Sequence, residues 1–233
     1  YGHKLIHALV YPQGNLNSLN PEEAVDLLDT YHEGDEYTPS SNGLLVLLYS
    51  KNWYEGTHYQ NNLMESRRYI DLLKDQPVQE FINNTYEKYY EHFGKYFGKQ
   101  IESFFFDEPS LPGMYFVPTN ASVIDTPDPL IEQYPAVNFD DEIIQKFQAK
   151  YGYNPTNYLP YLFEKSNNND AIRRFRWQYY ELIADLVENN FFTQISSWCE
   201  SHNVNSAGHL LCEEDISDHP LMMGNYMNNY HQM

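Results

Sequence analysis

The sequence predicts an α/β fold: part of a (β/α)8, TIM-barrel-like sheet, with a small β-rich element ahead of it. Three observations carry this prediction. Ile101-Glu102-Ser103-Phe104-Phe105-Phe106 is a short apolar run that stops at Asp107-Glu108-Pro109. Runs of this kind, apolar throughout and without clean alternation, read as parallel strands buried on both faces. Val204 to Asp215 repeats the design, a short strand pattern that runs into Glu213, Glu214 and Asp215. Each of the two is preceded by a long stretch with helical periodicity, and strands alternating with helices mark a parallel sheet. In a barrel of this type the C-terminal ends of the strands carry the chemistry.

Taken in order, Lys4 to Tyr11 is a strand pattern closed by Pro12 and Gly14. Asn20-Pro21-Glu22-Glu23 has the form of a short helix start, with Asn20 as cap and Pro21 in the first position. Gly43 to Tyr49 is a second apolar strand. No long helix separates the two strands, so nothing enforces a parallel crossover between them. Residues 1–60 are therefore expected to form the β-rich N-terminal element and residues 61–233 the partial barrel.

Asn52 to Arg68, with Trp53, Tyr54 and His58, reads as a long polar and aromatic loop of the kind that often binds ligands. Tyr69 to Leu73 is a short strand candidate ending near Asp71. Asp75 and Pro77 open a helix whose apolar stripe, Val78, Phe81, Ile82, Tyr86, Tyr89 and Phe93, recurs at spacings of three and four. With the strand Ile101 to Phe106 it completes a predicted βαβ unit. The proline-rich stretch after Pro109 reads as a loop beginning at the acids. A further helix starts near Asn138 and stops at Tyr151-Gly152, Leu159 to Phe163 is an apolar knot, and a long helix runs from about Asp170 to His202 with a bend near Asn189-Asn190.

The chain has 233 residues and a net charge of −19. That charge argues against nucleic acid as a partner and against anionic membrane surfaces. It has 22 tyrosines, side chains that stack on flat apolar faces while hydrogen-bonding. The two cysteines, Cys199 and Cys212, are too few for a disulfide framework or a zinc site and read as reduced, buried thiols. No run of about eighteen apolar residues is present and no leader pattern is read. A chain that opens at Tyr1 reads as a piece of a longer, soluble protein, with its compartment and oligomeric state left open.

On the predicted strands, Phe104, Phe106 and Glu108 share one face, and Phe105 and Asp107 the other. In the second strand His209, Leu211 and Glu213 share a face, opposite Gly208, Leu210 and Glu214. Glycoside hydrolysis needs two carboxyl groups flanking one bond, one a protonated acid and one a charged base or nucleophile. Glu108 and Glu213 are the candidate catalytic pair. Asp107, His209, Asp71, Glu214 and Trp53 are candidate substrate contacts, with Tyr54 and Tyr115 as further stacking platforms. The same acids supply oxygen ligands of the kind calcium prefers, so calcium is a candidate ion, though no EF-hand spacing or HExxH is present. No P-loop, GxGxxG or GxSxG occurs.

The order of motifs from Tyr69 to Asn225 resembles bacterial glycoside hydrolases with a TIM-barrel catalytic domain, the alpha-L-rhamnosidase-like group and its unclassified relatives. The motifs include Phe105-Phe106-Asp107-Glu108-Pro109, Tyr151-Gly152-Tyr153, Leu159 to Phe163, Trp198-Cys199 and Gly208 to Glu214. The resemblance implies a carbohydrate substrate, active-site glutamates at Glu108 and Glu213, with Glu214 the substitute for the latter, and a calcium ion in some members. A whole barrel takes eight strands in about 250 residues; only three βα strands are read here, so a partial barrel is expected. The alternative reading is a non-catalytic carbohydrate-binding or structural module that keeps the fold; a third is a calcium-dependent structural domain.

Overall fold

Lys4–Tyr11 forms strand β1, and its buried positions concentrate at Ala8, Leu9 and Tyr11. It is the centre of a three-stranded antiparallel sheet in the order β2-β1-β3, with β2 at Val25–Asp26 and β3 at Leu44–Ser50. The computed structural model describes residues 4–12, 19–39, 42–50, 70–111, 137–163, 169–211, 213, 214, 216 and 219–230. The predicted loop with Trp53, Tyr54 and His58 lies outside these residues, as do Tyr115, Cys212 and Asp215.

The chain divides into two compact units, one of residues 1–52 and 135–179, the other of residues 53–134 and 180–233. In the first, the antiparallel sheet is joined by α3 (Ile143–Tyr151), a 3-10 segment at Thr156–Leu162 and the first part of α4 (Asp170–Val187). Leu9, Tyr11, Leu19, Phe147, Tyr161, Phe175 and Tyr179 are buried in it. Its buried polar groups are tied to backbone. Tyr11 donates to the Asn157 carbonyl at 2.7 Å and Tyr161 to the Leu19 carbonyl at 2.5 Å. Asn157 Nδ2 in turn donates to the carbonyls of Pro21 and Ala24. Burial followed by neighbouring tyrosine holds the Tyr161 phenol up at about 12. The expected helix at Asn20 is a single 3-10 turn, Pro21–Glu23. Asn20 caps it as expected, but Ala24 turns extended and leads into β2.

In the second unit α1 (Asp75–Phe81), a π segment (Ile82–Tyr86) and α2 (Glu87–Phe93) make the amphipathic helix that the apolar stripe predicts. The later part of α4 continues through a π segment at Glu188–Phe192 into α5 (Thr193–Ser201). The irregularity falls at the expected Asn189-Asn190, and π segments are a recognised cause of bends. Two strands, β4 (Ser103–Asp107) and β5 (Asn205–His209), pair in parallel.

Three expectations are corrected here. Residues 70–73 are not a strand: Asp71 Oδ1 accepts the Leu73 N–H at 3.0 Å and its carbonyl accepts the Lys74 N–H, so the backbone turns into α1. Leu72 and Leu73 are buried nonetheless, which is why the run reads as apolar. The βαβ unit predicted to start there is therefore absent among the described residues. Second, β4 is covered on one face only. Phe104 packs on Tyr86, Phe97 and Trp198, and Phe106 on Phe191 and Phe192. Phe105, on the other face, is 58% exposed, because helices cover one side and no further strand lies beyond among the described residues. Third, the fold is mixed α/β with two small sheets, and no barrel closes among the described residues.

Candidate active site

The register of β4 and β5 builds the site. Five consecutive pairs run from Ser103↔Asn205 to Asp107↔His209, so both strands end at the same level and point the same way. Close approach of the two depends on Gly208. A Cβ there would lie 2.2 Å from the Phe106 ring and 2.5 Å from its carbonyl oxygen, in a space already filled. Phe106 is itself held between Phe191 and Phe192, with centroids at 5.8 and 5.5 Å.

On the open face, Phe105 and His209 meet edge to face at 5.2 Å, and His209 Nδ1 lies 3.9 Å from Asp107 Oδ1. Both polar side chains are more than half exposed, so their attraction is heavily screened. Past this pair the Glu108 N–H donates to the His209 carbonyl at 3.1 Å. Glu108 then takes a left-handed backbone with φ 49°, an uncommon conformation for a residue with a side chain. The strand thus ends at Glu108, and Pro109, Ser110 and Leu111 are buried beyond it. Such conformations cost about 1–3 kcal/mol and gather at functional sites.

At the end of β5, Leu210 and Leu211 are buried while Glu213 and Glu214 are exposed. The Glu213 carboxylate accepts a hydrogen bond from the Tyr230 phenol at 3.2 Å. Its backbone carbonyl contacts His219 Nε2 at 3.1 Å; a carbonyl only accepts, so that nitrogen carries the proton. His219 opens α6 (His219–Met223) and Tyr230 closes α7 (Tyr226–Tyr230). Burial first, then the hydrogen bond and charge of Glu213, hold the Tyr230 phenol above its ordinary value, so it stays a donor.

The structure thus brings Asp107 and His209 into contact and sets Glu108 beside them. It places Glu213 and Glu214 beyond the end of the neighbouring strand. Asp71 serves the turn before α1, and Trp53 lies outside the described residues. His219 and Tyr230 carry no signal in the sequence: neither belongs to a motif, and both reach Glu213 only through the path of the chain. Phe105 is legible only as a strand residue. Calcium takes six to eight oxygen ligands. Among the described residues no three His, Cys, Asp or Glu side chains come together in a way that would hold a metal. Cys199 is buried and its thiol is pushed up to about 11 by that burial, which makes it a poor nucleophile. Among the described residues no helix is long and apolar enough to cross a membrane.

Acid-tipped parallel strands backed by helices form the candidate site, and comparison with known proteins gives the chain a partial likeness to glycoside hydrolases. Residues 133–229 match the family model described as alpha-L-rhamnosidase, a match that takes in β5, Glu213 and His219 and leaves Asp107 and Glu108 outside. Among solved structures, the chain is similar to a rhamnosidase from Novosphingobium sp. PP1Y. The TM-score is 0.55 and the identity 16%, over 98% of this chain. The chain spans 19% of the length of that rhamnosidase, and at this identity the likeness is one of fold. A search among curated proteins finds no match by sequence. The resemblance expected from the order of motifs is therefore found.

Proposed function

We propose that this chain carries part of the catalytic region of a glycosidase that hydrolyses an α-L-rhamnoside or a related glycoside of a plant- or host-type polysaccharide. The observation that carries the reading is the parallel, in-register pairing of β4 and β5, which delivers Glu108 and the turn bearing Glu213 to one end of one sheet. Active sites of (β/α) barrels gather side chains from several strands at that end. In this reading β4 and β5 are two neighbouring strands of a barrel, with the helices outside. Their open face, with Phe105, Asp107 and His209, looks toward the barrel interior.

Glu108 is half-buried on a strained turn and is assigned the role of proton donor to the glycosidic oxygen. Glu213, exposed and hydrogen-bonded by a phenol, is assigned the charged partner that attacks C1 or activates the water that does. As the C1–O bond breaks, the aglycone leaves with the Glu108 proton. The oxocarbenium-like carbon is then captured by the Glu213 carboxylate or by water. Asp107 and His209 hold sugar hydroxyls, and the high negative charge suits a neutral sugar better than an anionic one.

The test is hydrolysis of a chromogenic aryl α-L-rhamnoside by the full-length protein and by its Glu108→Gln and Glu213→Gln variants. Removing a general acid or base costs about 10²–10⁴-fold in rate, so each variant should lose at least 100-fold while keeping the wild-type circular dichroism spectrum. Wild-type rates in Glu108→Gln would remove it from the mechanism. Rhamnoside binding without turnover by the wild-type protein would favour a carbohydrate-binding module instead.

A further inference from the structure

We propose that Tyr230 is the positioning residue of Glu213. This rests on the assignment of Glu213 as the charged carboxylate of the reaction. Glu213 sits on an exposed turn, where a free glutamate would sample several rotamers; two contacts restrain it. The Tyr230 O–H reaches Oε2 at 3.2 Å, and His219 Nε2–H holds the backbone carbonyl of the same residue at 3.1 Å. One contact fixes the end of the side chain, the other the backbone it springs from. A carboxylate held within a fraction of an ångström of its working position is what a step dependent on orientation requires.

The segment that delivers Tyr230 is itself anchored. Gly224, with φ +77°, separates α6 from α7 and lies so close to α4 that a Cβ would stand 2.4 Å from the Ala184 nitrogen. Asn225 Oδ1 accepts the Met227 N–H at 2.9 Å and starts α7. Asn229, fully buried, donates from Nδ2 to Met223 Sδ. The neighbouring Tyr230 is 43% exposed, so it lies at the edge of a fixed platform with its hydroxyl turned to Glu213. The phenol also stays protonated across the working range of a glycosidase, held above its ordinary value by burial and by Glu213, so the donor does not titrate away.

The test is Tyr230→Phe in the full-length protein, which keeps the ring and removes the donor. A hydrogen bond to a charged group is worth about 1.5–3 kcal/mol, or about 10–150-fold. The contact is partly exposed, so kcat for the aryl α-L-rhamnoside should fall about tenfold, at the low end of that range. KM should stay within about twofold, since a positioning residue does not touch the sugar. A merely structural role would move KM or the fold together with kcat, so the split between kcat and KM separates the two, and Tyr230→Phe should keep the wild-type circular dichroism spectrum. A kcat in Tyr230→Phe that matches wild type overturns the proposal, and it does so alone if Glu213→Gln is inactive. Wild-type hydrolysis by Glu213→Gln instead overturns the assignment of Glu213, and this proposal with it.

Discussion

The two sheets of this protein handle their polar groups in opposite ways. In the antiparallel sheet, polar side chains are turned inward onto backbone and onto each other. His7 Nδ1 lies 2.6 Å from Asp26 Oδ2, and Asp26 Oδ1 accepts the N–H groups of Ala8 and Leu28 at 3.0 and 3.1 Å. Tyr11 and Tyr161 end on carbonyls in the same way. In the parallel pair, Asp107, His209, Glu213 and Glu214 stand exposed around the strand ends. The apolar work there is done on the opposite face by Phe104, Phe106 and their aromatic neighbours. A polar group satisfied by backbone holds a fold; the same kind of group facing water at a strand end is reachable from solvent. The difference separates scaffold from candidate site within one chain.

The contrast is broken most severely by filling the seam between β4 and β5. Gly208→Ala puts a Cβ 2.2 Å from a phenylalanine ring that Phe191 and Phe192 hold in place. Overpacking of this kind costs about 1–3 kcal/mol. The expected result is a lower midpoint in chemical denaturation together with loss of hydrolysis, because the register that aligns Asp107 with His209 is disturbed. An unchanged midpoint would mean that the strands separate more easily than the packing implies.

The inward-turned clasp of the antiparallel sheet gives a smaller effect that depends on pH. Burial alone would raise the Asp26 carboxyl, but the Ala8 N–H, His7 and the Leu28 N–H together hold it below the usual carboxylate range. An unfolded aspartate titrates near about 3.9. A depressed folded value contributes stability that is present above that pH and is lost as pH falls through the folded value. Asp26→Asn should therefore cost about 1 kcal/mol at pH 7, discounted for partial solvent screening. The gap to wild type should narrow as pH falls below the usual carboxylate range and through the folded value. Denaturation curves at pH 7 and across the acidic range check this, and a gap that does not narrow on acidification would place the effect in shape rather than in charge.

How much of this was legible in the sequence follows from the range of each interaction. Strands β1, β3, β4 and β5 and the helices at 75–93 and 170–201 declare themselves through local apolar patterns. The caps at Asn20 and the break at Asn189-Asn190 are likewise local chemistry. The run at 70–73 misleads because its leucines are buried like those of a strand, while the carboxylate of Asp71 takes the backbone into a turn. Phe105 misleads in the other direction: its neighbours pack against helices, and only topology shows that its own side has no cover among the described residues. Tyr230 and His219 were not legible at all. Their partner lies 17 and 6 residues away, across turns whose course no periodicity records.

The smallest expected effect on stability sharpens the comparison best. Asp107 and His209 form the one described contact in the parallel pair that resembles the His7–Asp26 clasp, a carboxylate beside an imidazole. Its separation is 3.9 Å rather than 2.6 Å, and its side chains are 58% and 65% exposed rather than 11% and 19%. Water screens such a pair, and exposed ion pairs contribute about 0–1 kcal/mol. Asp107→Asn should accordingly leave the denaturation midpoint within about 0.5 kcal/mol of wild type, the usual range for a surface substitution. If Asp107 instead holds a sugar hydroxyl, as proposed, KM for the aryl rhamnoside should rise severalfold, since a carboxylate accepts a stronger hydrogen bond than an amide does. Two similar residue pairs would then respond in opposite ways, Asp26 through pH-dependent stability and Asp107 through substrate affinity. A KM unchanged in Asp107→Asn would return Asp107 to the solvated rim and leave Glu108 and Glu213 as the acids of the site.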